Sequence, residues 1–133
     1  MNILALDVGE KRIGVAQGDD STKIAFPYDT IEVDGHEIES ILTLVEANQI
    51  KDLVVGYPRN QSGETTAQTQ FVENFVAKLE KIPTDTRITY QDESLTSVIA
   101  TQRLEKLGKP YQKGDIDAMA ACIILEDYFQ EQR

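Results

Sequence analysis

Cysteine and histidine each occur once in this chain. Cys122 sits in the apolar run AACIIL, so no disulfide can form within the chain, and the thiol reads as a small buried hydrophobe rather than a nucleophile or ligand. His36 stands alone at a helix start, which argues against zinc, because zinc sites draw on clusters of histidine and cysteine. Long hydrophobic runs are missing too. Asp7 interrupts the first apolar stretch and no small-residue cleavage site follows it, so neither a signal peptide nor a membrane span is read, and a cytoplasmic protein is expected. Repeats, low-complexity tracts and Gly/Ser/Pro linkers are equally absent, so residues 1–133 read as a single domain. With 41% hydrophobic residues, that domain is expected to bury an ordinary core.

Positive charge is in short supply as well. Thirteen Lys+Arg against 23 Asp+Glu leave a net charge of −10, which argues against holding nucleic acid by bulk electrostatics. The charges are unevenly spread. Asp29 to Asp52 is strongly acidic, whereas Thr101 to Gly114 carries Arg103, Lys106, Lys109 and Lys113 against Glu105 alone. That basic segment fits an ordinary solvated helix end as well as a nucleic-acid contact.

What is present is a clear change of rhythm. Residues 2–8 (NILALDV) are apolar on both faces and fit a central strand, 12–18 (RIGVAQG) a second strand hairpinned to it, and 24–33 a third, which Pro27 pushes to an edge or bulge. Helical spacing then appears over 36–48, a strand over 51–56, a helix over 65–80 and a strand over 87–92. A helix over 95–107, with Leu95, Val98, Ile99, Leu104 and Leu107 as its apolar positions, ends at Gly108 and Pro110. The last helix spans about Asp115 to Phe129. Three antiparallel strands followed by alternating helices and parallel strands imply an α/β fold: a five-stranded mixed sheet with helices on both faces.

In such a sheet ligands collect at the carboxyl ends of the parallel strands. Asp7 ends the first strand, Asp92 and Glu93 end the fifth, and Asp117 lies in the first turn of a helix apolar nearly all round. Each has a local explanation, as a turn former before Gly9, as caps before LTSVIA, or as a first-turn acid beside Asp115. Brought together without a counter-charge, however, the three would raise one another's pKa and lose solvation. A divalent cation resolves that conflict, and oxygen ligands suit Mg²⁺ or Mn²⁺. Two such ions can activate a water for phosphodiester cleavage without a side-chain nucleophile. Between Asp92 and Glu93 the strand pattern does not decide. Glu93 is preferred because Asp92 shares its face with Ile88 and Tyr90, the apolar face expected to point into the core. Lys11 and Arg12 on the first hairpin, and Arg59 and Asn60 in the loop GYPRNQSGET, are candidate phosphate contacts.

Four segments, LALDVGEKRIGVA, VVGYPRNQSG, QDESLTSVIATQRL and KGDIDAMAACIILEDY, resemble in order and spacing the YqgF (RuvX) family of small bacterial RNase H-like proteins. The resemblance implies the RNase H-like fold, a cytoplasmic location and a divalent-metal site of Asp7, Glu93 and Asp117. It also implies nuclease action, either in maturing the 5′ end of pre-16S ribosomal RNA or in resolving Holliday junctions. One residue departs from the family pattern: Ser94 stands in DESLT where the family has arginine, which puts a phosphate contact in doubt and leaves Arg12, Arg59 and Arg103 as replacements. The expected function is therefore a metal-dependent endonuclease acting on structured nucleic acid, most of all an rRNA precursor, as a monomer or homodimer. The alternatives are a four-way DNA junction resolvase, a non-catalytic RNA- or ribosome-binding module using the segment 103–113, and an ATP-binding relative of actin, for which this chain has room for only one of the two domains needed.

Overall fold

In a computed structural model, residues 2–58, 62–81, 85–93 and 96–131 are described. The strands are β1 (Ile3–Val8), β2 (Arg12–Asp19), β3 (Ile24–Glu32), β4 (Asp52–Pro58) and β5 (Arg87–Glu93), and the helices α1 (Glu37–Ala47), α2 (Ala67–Glu80), α3 (Thr96–Leu107) and α4 (Lys113–Glu131). Every expected element is present within a few residues. The sheet order is β3-β2-β1-β4-β5, with β1–β2 and β2–β3 antiparallel and β1–β4 and β4–β5 parallel. β1 is thus central, as its two apolar faces require. Pro27 lies on an edge strand and beside a register shift at Val15/Ala16, so both expectations for it hold.

Helices cover both faces. Leu4, Leu6, Val8, Ile13, Val15 and Val55 pack with Ile41 and Val45 of α1 and Val72, Phe75, Val76 and Leu79 of α2. On the other face Ile3, Ala5, Ala16 and Val54 pack with Ala121, Cys122, Ile124, Leu125, Tyr128 and Phe129 of α4. Burial pushes the Cys122 thiol up to about 11, which leaves it a protonated hydrophobe at neutral pH. The N-terminus of α2 is fastened to the strand ends: Gln68 Nε2 donates to the Val8 carbonyl at 3.1 Å, and Thr69 Oγ1 donates to the Pro58 carbonyl. Thr66 and Thr69 close a reciprocal cap there, so the turn that opens α2 is tied to the same sheet edge as Asp7.

α3 corrects one expectation. Thr96 and Ala100 are its buried residues, whereas Val98 is 52% and Leu107 62% exposed. The physical reason is its neighbour: α3 lies on α4, through Ala100 against Ala120 and Ile123, and a helix resting on another helix can approach closely only where the side chain is small. Gly108, at a φ of 71°, ends it as expected.

Candidate active site

The register puts the acids together. Leu6 of β1 aligns with Val55 of β4, and Val55 with Tyr90 of β5. The next positions, Asp7, Gly56 and Gln91, form a row whose side chains share the α4 face with Ala5 and Val54. Glu93, two residues beyond Gln91, returns to the same face. A Cβ on Gly56 would run into Glu93 Oε2 and come within 2.6 Å of Ile124. The missing side chain is therefore the space through which Glu93 folds back toward Asp7. On its other side Asp7 pairs with Gly14, where a Cβ would overlap the Asp117 carbonyl oxygen and lie 2.9 Å from the Ala118 nitrogen. One glycine admits Glu93 and the other admits the α4 backbone at Asp117. The local pattern offers Gly56 only as part of a phosphate-approaching loop and Gly14 not at all, although glycine inside a strand commonly marks a close approach.

The electrostatics follow from that crowding. Burial, and then the charge of Asp117, push the Asp7 carboxyl up to about 6. Burial, and then Asp7, push Glu93 up to about 8. Glu93 Oε2 is buried and has no hydrogen-bond partner, so it requires a proton or a cation. Arg12 Nε donates to Asp117 Oδ2 at 2.7 Å in a half-buried ion pair that ties the first hairpin to α4. Among the described residues no three acids stand close enough for a ready-made metal cage. Asp117 is engaged by Arg12, while Asp7 and Glu93 supply buried oxygen donors of the kind hard cations take.

Asp117 lies one turn inside α4 rather than in its first turn, because the helix starts at Lys113. Asp92 is exposed on the opposite face of β5. The face expected to point into the core does so at Ile88, which packs against the α1–α2 core, but not at Tyr90, which is 41% exposed, whereas Gln91 on the face of Glu93 is buried. Both faces of β5 are covered in part, and the α4 side is the more enclosed here, where Gln91 Nε2 donates to Glu131 on α4. Lys11 is exposed in the hairpin turn. Arg103 is paired with Glu126 of α4 at 2.7 Å. Arg59, Asn60 and Ser94 lie outside the described residues.

The family model RuvX, described as Holliday junction resolvase, matches residues 1–131. A protein of Chloroflexus aurantiacus named "Putative pre-16S rRNA nuclease" is 43% identical over 135 residues, covering 98% of this chain and 88% of the relative. One of the same name from a Roseiflexus species is 40% identical, covering 98% and 95%. Among solved structures, T. thermophilus RuvC in complex with Holliday junction substrate matches with a TM-score of 0.56 at 13% identity, over 98% of this chain and 94% of the other. At that identity the likeness is one of fold, the RNase H-like arrangement of sheet and helices. No helix among the described residues is long and apolar enough to cross a membrane.

Proposed function

The chain belongs to the RuvX family of nucleases, and from that membership we propose that it is a metal-dependent endonuclease that trims the 5′ end of pre-16S ribosomal RNA, with Asp7, Glu93 and Asp117 as its catalytic acids. The observation that carries the reading is the half-buried Asp7, flanked by Glu93 and Asp117 from two other elements and raised in pKa by its surroundings. The substrate rests on the names of the relatives, which share over a third of this chain's residues along nearly its whole length. This reading puts the protein in the cytoplasm, beside ribosome assembly.

Asp7, Glu93 and Asp117 are the residues that would hold a Mg²⁺ or Mn²⁺ ion, Asp117 while paired with Arg12. Such an ion, when bound, lowers the pKa of a coordinated water and stabilises the leaving oxygen in phosphodiester hydrolysis. The protein's own part is positional. β1, the central strand, carries Asp7, and Gly56 and Gly14 let Glu93 and the α4 backbone at Asp117 approach it. Packing of α4 over the strand ends partly covers the acids, which strengthens the charge interactions there. Arg12, always protonated, steers Asp117 and offers a planar fork to phosphate.

The test is cleavage of a pre-16S 5′-end fragment and of a four-way DNA junction in Mn²⁺, Mg²⁺ and EDTA. RNA cleavage that needs the metal and disappears in Asp7→Asn is expected. Cutting of the junction alone would replace the substrate and keep the site. Cleavage by Asp7→Asn at the wild-type rate would overturn the site itself.

A further inference from the structure

The basic segment between α3 and α4 is not used by the catalytic acids. In the fold it forms one wall of a groove of about 830 Å³, whose other wall is the edge strand β3. That volume lies within the roughly 300–1,000 Å³ of small-ligand sites, enough for a few nucleotides of one strand and too little for a double helix. Its floor is tied by Thr30 Oγ1 of β3, which donates to the Gly114 carbonyl of α4 at 2.6 Å. Arg12, the partner of Asp117, is among its lining residues, so the groove borders the Arg12–Asp117 pair.

Two tyrosines line it, Tyr28 from β3 and Tyr111 from the α3–α4 connection, together with Lys109 and Lys113. Tyr28 is 45% exposed, and Tyr111 is steadied by a 3.3 Å hydrogen bond from its hydroxyl to Glu105. The acids of the groove, Asp29, Glu32 and Asp115, keep their charge, and each is held by a neighbour. Asp115 accepts from the Gln112 backbone N–H at 2.8 Å, Asp29 from that of Thr30 at 2.7 Å, and Glu32 faces the charge of Arg12. Lys109 and Lys113 form no ion pair among the described residues. In a chain of net charge −10, this groove offers two cations without an ion pair among the described residues beside one exposed and one half-buried tyrosine ring. Cations along a track with aromatic faces for bases are what unpaired strands bind.

We propose that this groove holds a single-stranded segment of the RNA substrate and feeds it to the acids, Lys109 and Lys113 contacting phosphates and Tyr28 and Tyr111 stacking on bases. The proposal rests on the nuclease reading for its substrate, yet its test uses binding rather than cleavage, so the two can fail separately. A short fluorescent single-stranded RNA is titrated with wild-type protein in EDTA across a series of salt concentrations. Replacing both lysines by alanine is expected to weaken binding about tenfold and to lower the salt slope by about 1.4, the release expected for two single-strand phosphates. Tyr28→Ala and Tyr111→Ala should each cost about tenfold, and Tyr28→Phe should restore binding. A control of equal charge, Lys51→Ala with Lys81→Ala, removes exposed lysines flanking β4 and α2 and should bind like wild type. Unchanged affinity and slope in the double lysine variant, equal loss in the control, or equally tight binding of a blunt RNA duplex would each overturn the proposal. Retained binding with no cleavage of any substrate would instead overturn the nuclease reading and leave the groove standing.

Discussion

On the face under α1 and α2 the strands present Leu4, Leu6, Val8, Ile13, Val15, Leu53 and Val55, whereas under α4 they present Ile3, Ala5, Asp7, Gly14, Ala16, Gly18, Val54 and Gly56. The first face is filled with branched side chains that bury apolar area. The second is cut down to small ones, and α4 answers with Ala118, Ala121 and Cys122. The difference teaches where each task is done. Filling one face stabilises the fold strongly enough that the other can give up side-chain volume, admit a helix backbone at close range and bury acids that destabilise it.

Exchanging one residue on each face separates the two tasks. Asp7→Asn is expected to lower cleavage on the order of 10³-fold, within the range for a group that acts in the transition state, while thermal unfolding of the metal-free protein stays the same or moves upward. Leu6→Ala, directly beside it in sequence and fully buried, should lower stability by about 3 kcal/mol and leave the rate per folded molecule near wild type. Calorimetry and cleavage measured on the same samples check both, and the comparison breaks if Asp7→Asn unfolds the protein.

Gly14→Ala tests the close approach itself. Its methyl group would occupy the place of the Asp117 carbonyl, which is backbone and cannot swing aside, so α4 must shift. A stability loss of about 1–3 kcal/mol is expected, with a fall in cleavage exceeding the unfolded fraction. Ala16→Gly, on the same strand and face, should lose no more cleavage than its unfolded fraction accounts for.

The order of strands and helices was legible because each has its own period: alternation or continuous apolarity for strands, and Ile38, Ile41, Leu42 and Val45 at helical spacing for α1. Asp7 and Glu93 were legible as strand-end residues, while Asp117, read as a first-turn acid, lies one turn inside α4. Their meeting was not readable from local pattern, since it depends on Gly14 and Gly56, whose role exists only once α4 and β5 lie across them. The Arg12–Asp117 pair joins residues 105 apart, beyond any local pattern. The buried side of α3 was misread for a related reason: its apolar residues are spread around the helix, and the neighbour it rests on, α4 rather than the sheet, selects Ala100.

The smallest expected effect is one of pH, and it belongs wholly to the face under α4. With Asp7 raised to about 6 and Glu93 to about 8, the folded protein keeps protons that the unfolded chain, with ordinary carboxyls near 4, releases. Stability of the metal-free protein should therefore be greatest below about pH 4 as far as these two groups decide, fall as pH rises through 6 to 8, and level off above. Asp7→Asn should remove on the order of 1–3 kcal/mol of that fall, because it deletes one buried charge and relieves Glu93 of its neighbour. Leu6→Ala should shift the whole stability curve downward without changing its slope. Mg²⁺ added at pH 8 should recover stability in wild type and little in Asp7→Asn, since the cation takes the place of the protons. Denaturant titrations at pH 5, 6.5 and 8 measure the slopes, and equal slopes in wild type and Asp7→Asn would show that the acids are solvated rather than buried together.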